Sequence, residues 1–201
     1  MRKVLPFVVG LAVLSAVPAK AEPVLFSAIL QGSNENPMNA SPGLGFALIG
    51  YDAAAHTLSV LAGFDDLLAG VSASHIHCCA AAPTNAGVAT TTPTFPGFPS
   101  GVTMGFYSQI FDLTMASSFN PAFIAANGGT PLAAELVLAA GMASGMTYFN
   151  IHTTMFPGGE IRGTLTPVDG GNVVPEPATL LLVGGGIGAL AAARRRKLAR
   201  R

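Results

Sequence analysis

Tyr148-Phe149-Asn150-Ile151-His152-Thr153-Thr154-Met155-Phe156-Pro157-Gly158-Gly159-Glu160-Ile161-Arg162-Gly163 reads as a β-hairpin. Phe149 and Ile151 alternate with Tyr148, Asn150 and His152, so one face of the first strand is apolar and the other polar. Phe156-Pro157-Gly158-Gly159 supplies the turn, because proline fixes φ and glycine accepts a positive φ without steric cost. On the return strand Ile161 and Leu165 point one way, and Glu160, Arg162, Thr164 and Thr166 the other. Glu160 and Arg162, two residues apart on one face, are expected to form a surface ion pair worth little in stability.

Outward from this hairpin, residues 24–31, 44–51, 57–64, 70–79 and 102–112 read as further strands with turn signals between them. His56 falls in a short connection and is expected to be an exposed turn residue. Residues 80–101 change character to Ala, Pro, Thr and Gly, a long loop in which Phe95 and Phe98 either fold back onto the body or lie against a sugar. Asn120-Pro121 starts a short helix that Gly128 stops. Thr130 caps a second helix running to Gly141, with Leu132, Leu136 and Ala139 on one face. The chain therefore reads as mainly β: a single antiparallel Greek-key β-sandwich, immunoglobulin-like or superoxide-dismutase-like, with one or two short helices. A signal helix at the N-terminus and a hydrophobic helix at the C-terminus complete the expectation.

The net charge of zero conceals a segregation. Nine of the ten Lys and Arg lie at the two ends, leaving Arg162 alone against nine acids between residues 22 and 172, a net charge of −8. An acidic body does not attract nucleic acid. Residues 1–21 combine Arg2 and Lys3, an apolar stretch and Ala19-Lys20-Ala21, the pattern of a secretory signal peptide cleaved after small residues at Ala19 and Ala21. Residues 22–168 are left for one β domain and 169–173 for a linker.

At the other end Pro175-Glu176-Pro177 precedes an apolar run, and Arg194-Arg195-Arg196-Lys197 follows it. Residues 174–201 resemble the PEP-CTERM sorting signal. The resemblance implies export by the secretion machinery, transient membrane anchoring through the apolar segment, and recognition by an exosortase in Gram-negative bacteria that make exopolysaccharide. The apolar run is short for a spanning helix but carries the basic flank that retains a segment at the cytoplasmic side.

Chemistry is sparse in the body. No Gly-x-Ser-x-Gly elbow, no phosphate loop and no carboxylate pair placed to split acid and base roles is present, and no catalytic residue is expected. His75 and His77 project to one face of their strand, Cys79 shares that face, and His152 lies on the outer face of its own. If the two strands are neighbours, three imidazoles and one thiolate form a candidate shell for copper or zinc. Against this, no carboxylate lies near in sequence to orient the rings, and three histidines on a solvated face need no metal. The adjacent Cys78 and Cys79 have three states open to them: a vicinal disulfide, favoured by an oxidising compartment, metal ligation at Cys79, or two free thiols.

Gly32-Ser33-Asn34-Glu35-Asn36-Pro37, His75-Ile76-His77, Tyr148-Phe149-Asn150-Ile151-His152-Thr153 and Gly158-Gly159-Glu160-Ile161-Arg162-Gly163 together resemble the CHRD domain, named from chordin. Met38 stands where a second proline is common, and the Cys78-Cys79 pair lies outside the general pattern. The resemblance implies an extracellular module of unsettled role; the acidic, catalytically bare body points to a non-enzymatic module that binds exopolysaccharide or surface proteins, with a copper- or zinc-binding metalloprotein as the alternative. The His-x-His strand is also similar to that of copper-zinc superoxide dismutase, a likeness of fold that carries no reaction with it.

Overall fold

The computed structural model describes residues 22–168. The expected signal and C-terminal helices, the cleavage residues Ala19 and Ala21, and the sorting residues Pro175, Glu176, Pro177 and Arg194 to Arg196 lie outside them. Among the described residues no helix is long and apolar enough to cross a membrane.

Nine strands form one antiparallel sheet: β1 Val24–Gln31, β2 Leu44–Asp52, β3 Thr57–Asp65, β4 Val71–Cys78, β5 Gly87–Val88, β6 Gly105–Asp112, β7 Thr147–Thr153, β8 Ile161–Thr164 and β9 Thr166–Pro167. Their spatial order is β5-β4-β7-β8-β1-β2-β3-β6, with β9 also on β1. The sheet is continuous and curled, in place of the two facing sheets that the sequence predicts. The hairpin reading of residues 148–163 corresponds to β7 and β8, with Ile151 opposite Ile161 and Asn150 opposite Arg162.

Alternation fills the concave side. Phe26, Ala28 and Leu30 of β1, Ile49 of β2, Val60 and Ala62 of β3, Ile76 of β4 and Phe149 and Ile151 of β7 are buried together. Phe95 and Phe98 of the long loop are buried in the same core, Phe95 packing on Tyr107, Phe111 and Phe149, which removes them as sugar-facing residues.

Two helices close the core. In α1, Pro121–Ala126, the Asn120 side chain accepts from the Ala122 N–H, and in α2, Pro131–Ala143, the Thr130 hydroxyl accepts from the Ala133 N–H. The face shared by Leu132 and Leu136 is the exposed one, and Ala134, Glu135, Leu138 and Met142 are buried. The helix turns Glu135 inward because that carboxylate has partners there, accepting from the Tyr51 hydroxyl at 2.9 Å and meeting His56 Nδ1 at 2.8 Å. His56 lies in the turn as expected, partly exposed, and its ring is paired with Glu135. The helix runs to Ala143, past the expected end at Gly141, where the missing side chain makes room for the cysteines: a Cβ there would meet Cys78 Sγ at 2.6 Å and Cys79 Sγ at 2.9 Å.

Candidate metal centre

β4 and β7 are neighbours, paired His75 to Asn150, His77 to Tyr148 and Ala73 to His152. Directly paired residues share a face, so the three histidines stand on one side of the sheet with Tyr148 and Asn150, opposite the apolar core. Their ring centroids are 5.3 to 5.8 Å apart, and one nitrogen from each ring lies within 4.8 Å of the others.

This face is not solvated, as the sequence alone suggests; it is roofed. The three histidines are 6–8% exposed, and every residue of β7 is buried on both sides of the sheet. The roof is made of the Pro- and Gly-rich loops, and it supplies one carbonyl to each ring. His75 Nε2 lies 2.7 Å from the Pro93 carbonyl, His77 Nδ1 2.9 Å from that of Ala86, and His152 Nδ1 2.9 Å from that of Pro157.

A carbonyl oxygen only accepts, so each of those nitrogens carries the proton. The second nitrogen of each neutral ring is then a lone pair. These are His75 Nδ1, His77 Nε2 and His152 Nε2, all buried without a hydrogen-bond partner. Protonation does not relieve them near neutrality: burial, with the mutual repulsion of the rings behind it, pushes His75 and His77 down to about 4, and burial lowers His152. Three lone pairs therefore converge with no donor among them. That is the chemistry of a Lewis-acid site, and the ring-orienting role usually filled by carboxylates falls to backbone carbonyls here.

Cys79 is not part of the set. Its sulfur is bonded to that of Cys78 and packs beneath α2, so the candidate group consists of three imidazoles without a thiolate.

The remaining polar residues on this face hold the roof down. Arg162 donates to the Asn34 carbonyl at 2.6 Å, Asn85 Oδ1 at 2.6 Å and the Pro83 carbonyl at 2.7 Å, and its guanidinium lies 4.6 Å over the Tyr148 ring. Tyr148 in turn stacks on His77. The carboxylate facing Arg162 is Glu35, at 3.7 Å, and not Glu160 as expected from spacing. Burial raises Glu35 to about 7 despite that cation. Glu160 is fully buried and accepts from Ser41 Oγ, the Leu68 N–H and Thr153 Oγ1, each at 2.6 Å.

Residues 26–165 match the family model of the CHRD domain. The chain belongs to the CHRD family. Residues 173–197 match the PEP-CTERM protein-sorting motif, which marks an exported protein processed by an exosortase. No curated protein and no solved structure shows a significant match to it. The histidines thus sit inside the CHRD domain, on two of the motifs whose pattern first suggested the family. The sequence missed Glu35 and Glu135 as buried acids; Glu135 within an apolar helical stretch, flanked by Ala134 and Leu136, was the available signal.

Proposed function

We propose that this protein, delivered after exosortase processing to the surface or extracellular matrix of a Gram-negative bacterium, uses its CHRD domain to hold one copper or zinc ion at His75, His77 and His152. The observation that carries the reading is the convergence of three buried imidazole lone pairs without a donor. The site is closed, which suits storage or a structural role rather than turnover of a substrate, since catalytic metals keep an open position. Metal analysis by mass spectrometry of the purified protein, beside a His75→Ala, His77→Ala, His152→Ala variant, tests it. Near-stoichiometric copper or zinc in the parent and none in the variant is expected; a metal-free parent that neither metal stabilises rejects the reading.

A second reading draws on the opposite half of the sheet. Ile29, Phe46, Gly63 and Phe106 lie in one row across four strands, and Ile29 and Phe106 are 66% and 62% exposed. Aromatic rings beside Ser27, Ser59 and Ser108, with no charge in these rows, suit a neutral polysaccharide. Loss of polysaccharide retention in Phe106→Ala, with folding intact, is the outcome expected of that surface.

A further inference from the structure

We propose that the three-histidine centre takes copper as the cuprous ion, held three-coordinate, in preference to zinc or cupric copper. The inference rests on the reading that a metal occupies the site, and adds which charge and coordination number the site accepts.

Charge comes first. The group that converges consists of three neutral rings, with no carboxylate or thiolate in it. Of the two buried acids of this face, Glu160 is committed to Ser41, Leu68 and Thr153, and the charge of Glu35 is balanced by Arg162 at 3.7 Å, although its Oε1 has no hydrogen-bond partner. The groups that hold the rings are equally uncharged, being the three backbone carbonyls of Pro93, Ala86 and Pro157. Beyond His77 the stack continues through Tyr148 to the guanidinium of Arg162, which adds positive potential. An ion entering here keeps its full charge, and the cost of burying charge rises with its square. A monovalent ion therefore pays about a quarter of the divalent penalty.

Coordination number points the same way. Zinc completes a tetrahedron, and with three protein ligands it recruits a water or hydroxide as the fourth. Cupric copper favours tetragonal sets. Here the three free nitrogens are sealed from solvent, which leaves no route for a fourth ligand from bulk water while the roof is closed. A filled-shell cuprous ion is satisfied by three nitrogens. Ligands ~2.0 Å from a shared metal lie roughly 3.5 Å apart, so nitrogens now within 4.8 Å of one another draw together by up to about 1.3 Å on loading.

The test uses the full chain, stripped of metal and titrated anaerobically with cuprous ion against a chromophoric cuprous chelator, and in parallel with zinc and with cupric ion. The expected result is one cuprous ion per chain, bound at least ~100-fold more tightly than zinc, with X-ray absorption showing nitrogen ligation and no fourth ligand. Zinc or cupric binding of equal or higher affinity, or a fourth ligand on the cuprous ion, overturns the assignment while leaving the metal reading intact. Failure of all three ions to bind removes both. His152→Gln, which keeps a polar side chain in the buried position, is expected to lower cuprous affinity ~100-fold; an unchanged affinity in folded protein also overturns the assignment.

Discussion

The two halves of the sheet use the same alternation and dispose of their second face in opposite ways. On β1, β2, β3 and β6 the face away from the core is open to solvent and yet carries Ile29, Phe46, Phe106 and Ile110. On β4, β7 and β8 the corresponding face is sealed and yet carries three histidines, Asn150 and Arg162. Polarity and burial are therefore separate variables in this fold. Alternation assigns a residue to a side, but the loops decide whether that side meets water.

The sharpest way to break the contrast is to remove the side chain that ties down the roof. Arg162→Ala should cost about 3–5 kcal/mol in urea unfolding, because it strips three loop contacts and leaves buried groups without partners. A cost below 1 kcal/mol would mean the roof is held by packing alone.

Acid should separate the halves next. In the metal-free protein His75 and His77 fall from their usual range to about 4, so the unfolded chain binds more protons and stability declines as pH drops from about 6.5 toward 4. Glu35 works the other way: raised from 4.5 to about 7, its contribution is present at low pH and is lost as pH rises through 7. Two or three histidines outweigh one acid, so the net effect of acid is a loss on the order of a few kcal/mol. Glu35→Gln should steepen that loss, as read from denaturation midpoints across the pH series; an unchanged slope would remove Glu35 from the balance.

A smaller probe addresses the core side of the same strand. Ile151→Val trims one methylene from a fully buried position and should cost roughly 0.5–1.5 kcal/mol, without altering metal retention. Any change in metal content would show that the two faces of β7 are mechanically coupled.

The smallest effect belongs to the open half. Ile29→Ser should change monomer stability by no more than about 0.5 kcal/mol. A larger loss that depends on protein concentration would show that the face is covered in solution.

Much of this arrangement was legible beforehand. The alternation around Ile76 and Ile151 assigned all three histidines to the non-core side, and the turn residues placed the hairpin. What alternation does not encode is the cover above that side, so the histidines, Glu160 and Arg162 all read as surface residues. The Glu35–Arg162 contact joins positions distant in sequence through a loop, whereas the expected Glu160–Arg162 pair relied on spacing alone. Glu160 instead found three donors on other segments. In α2 the apolar count favoured Leu132 and Leu136, but the helix faces the side where Tyr51 and His56 receive Glu135.

The three roof carbonyls fix more than ring orientation. By holding each imidazole as a single neutral tautomer, they leave nothing for an incoming ion to displace. Metal uptake near pH 7 should therefore release no protons, and its calorimetric heat should be the same in buffers of different ionisation enthalpy.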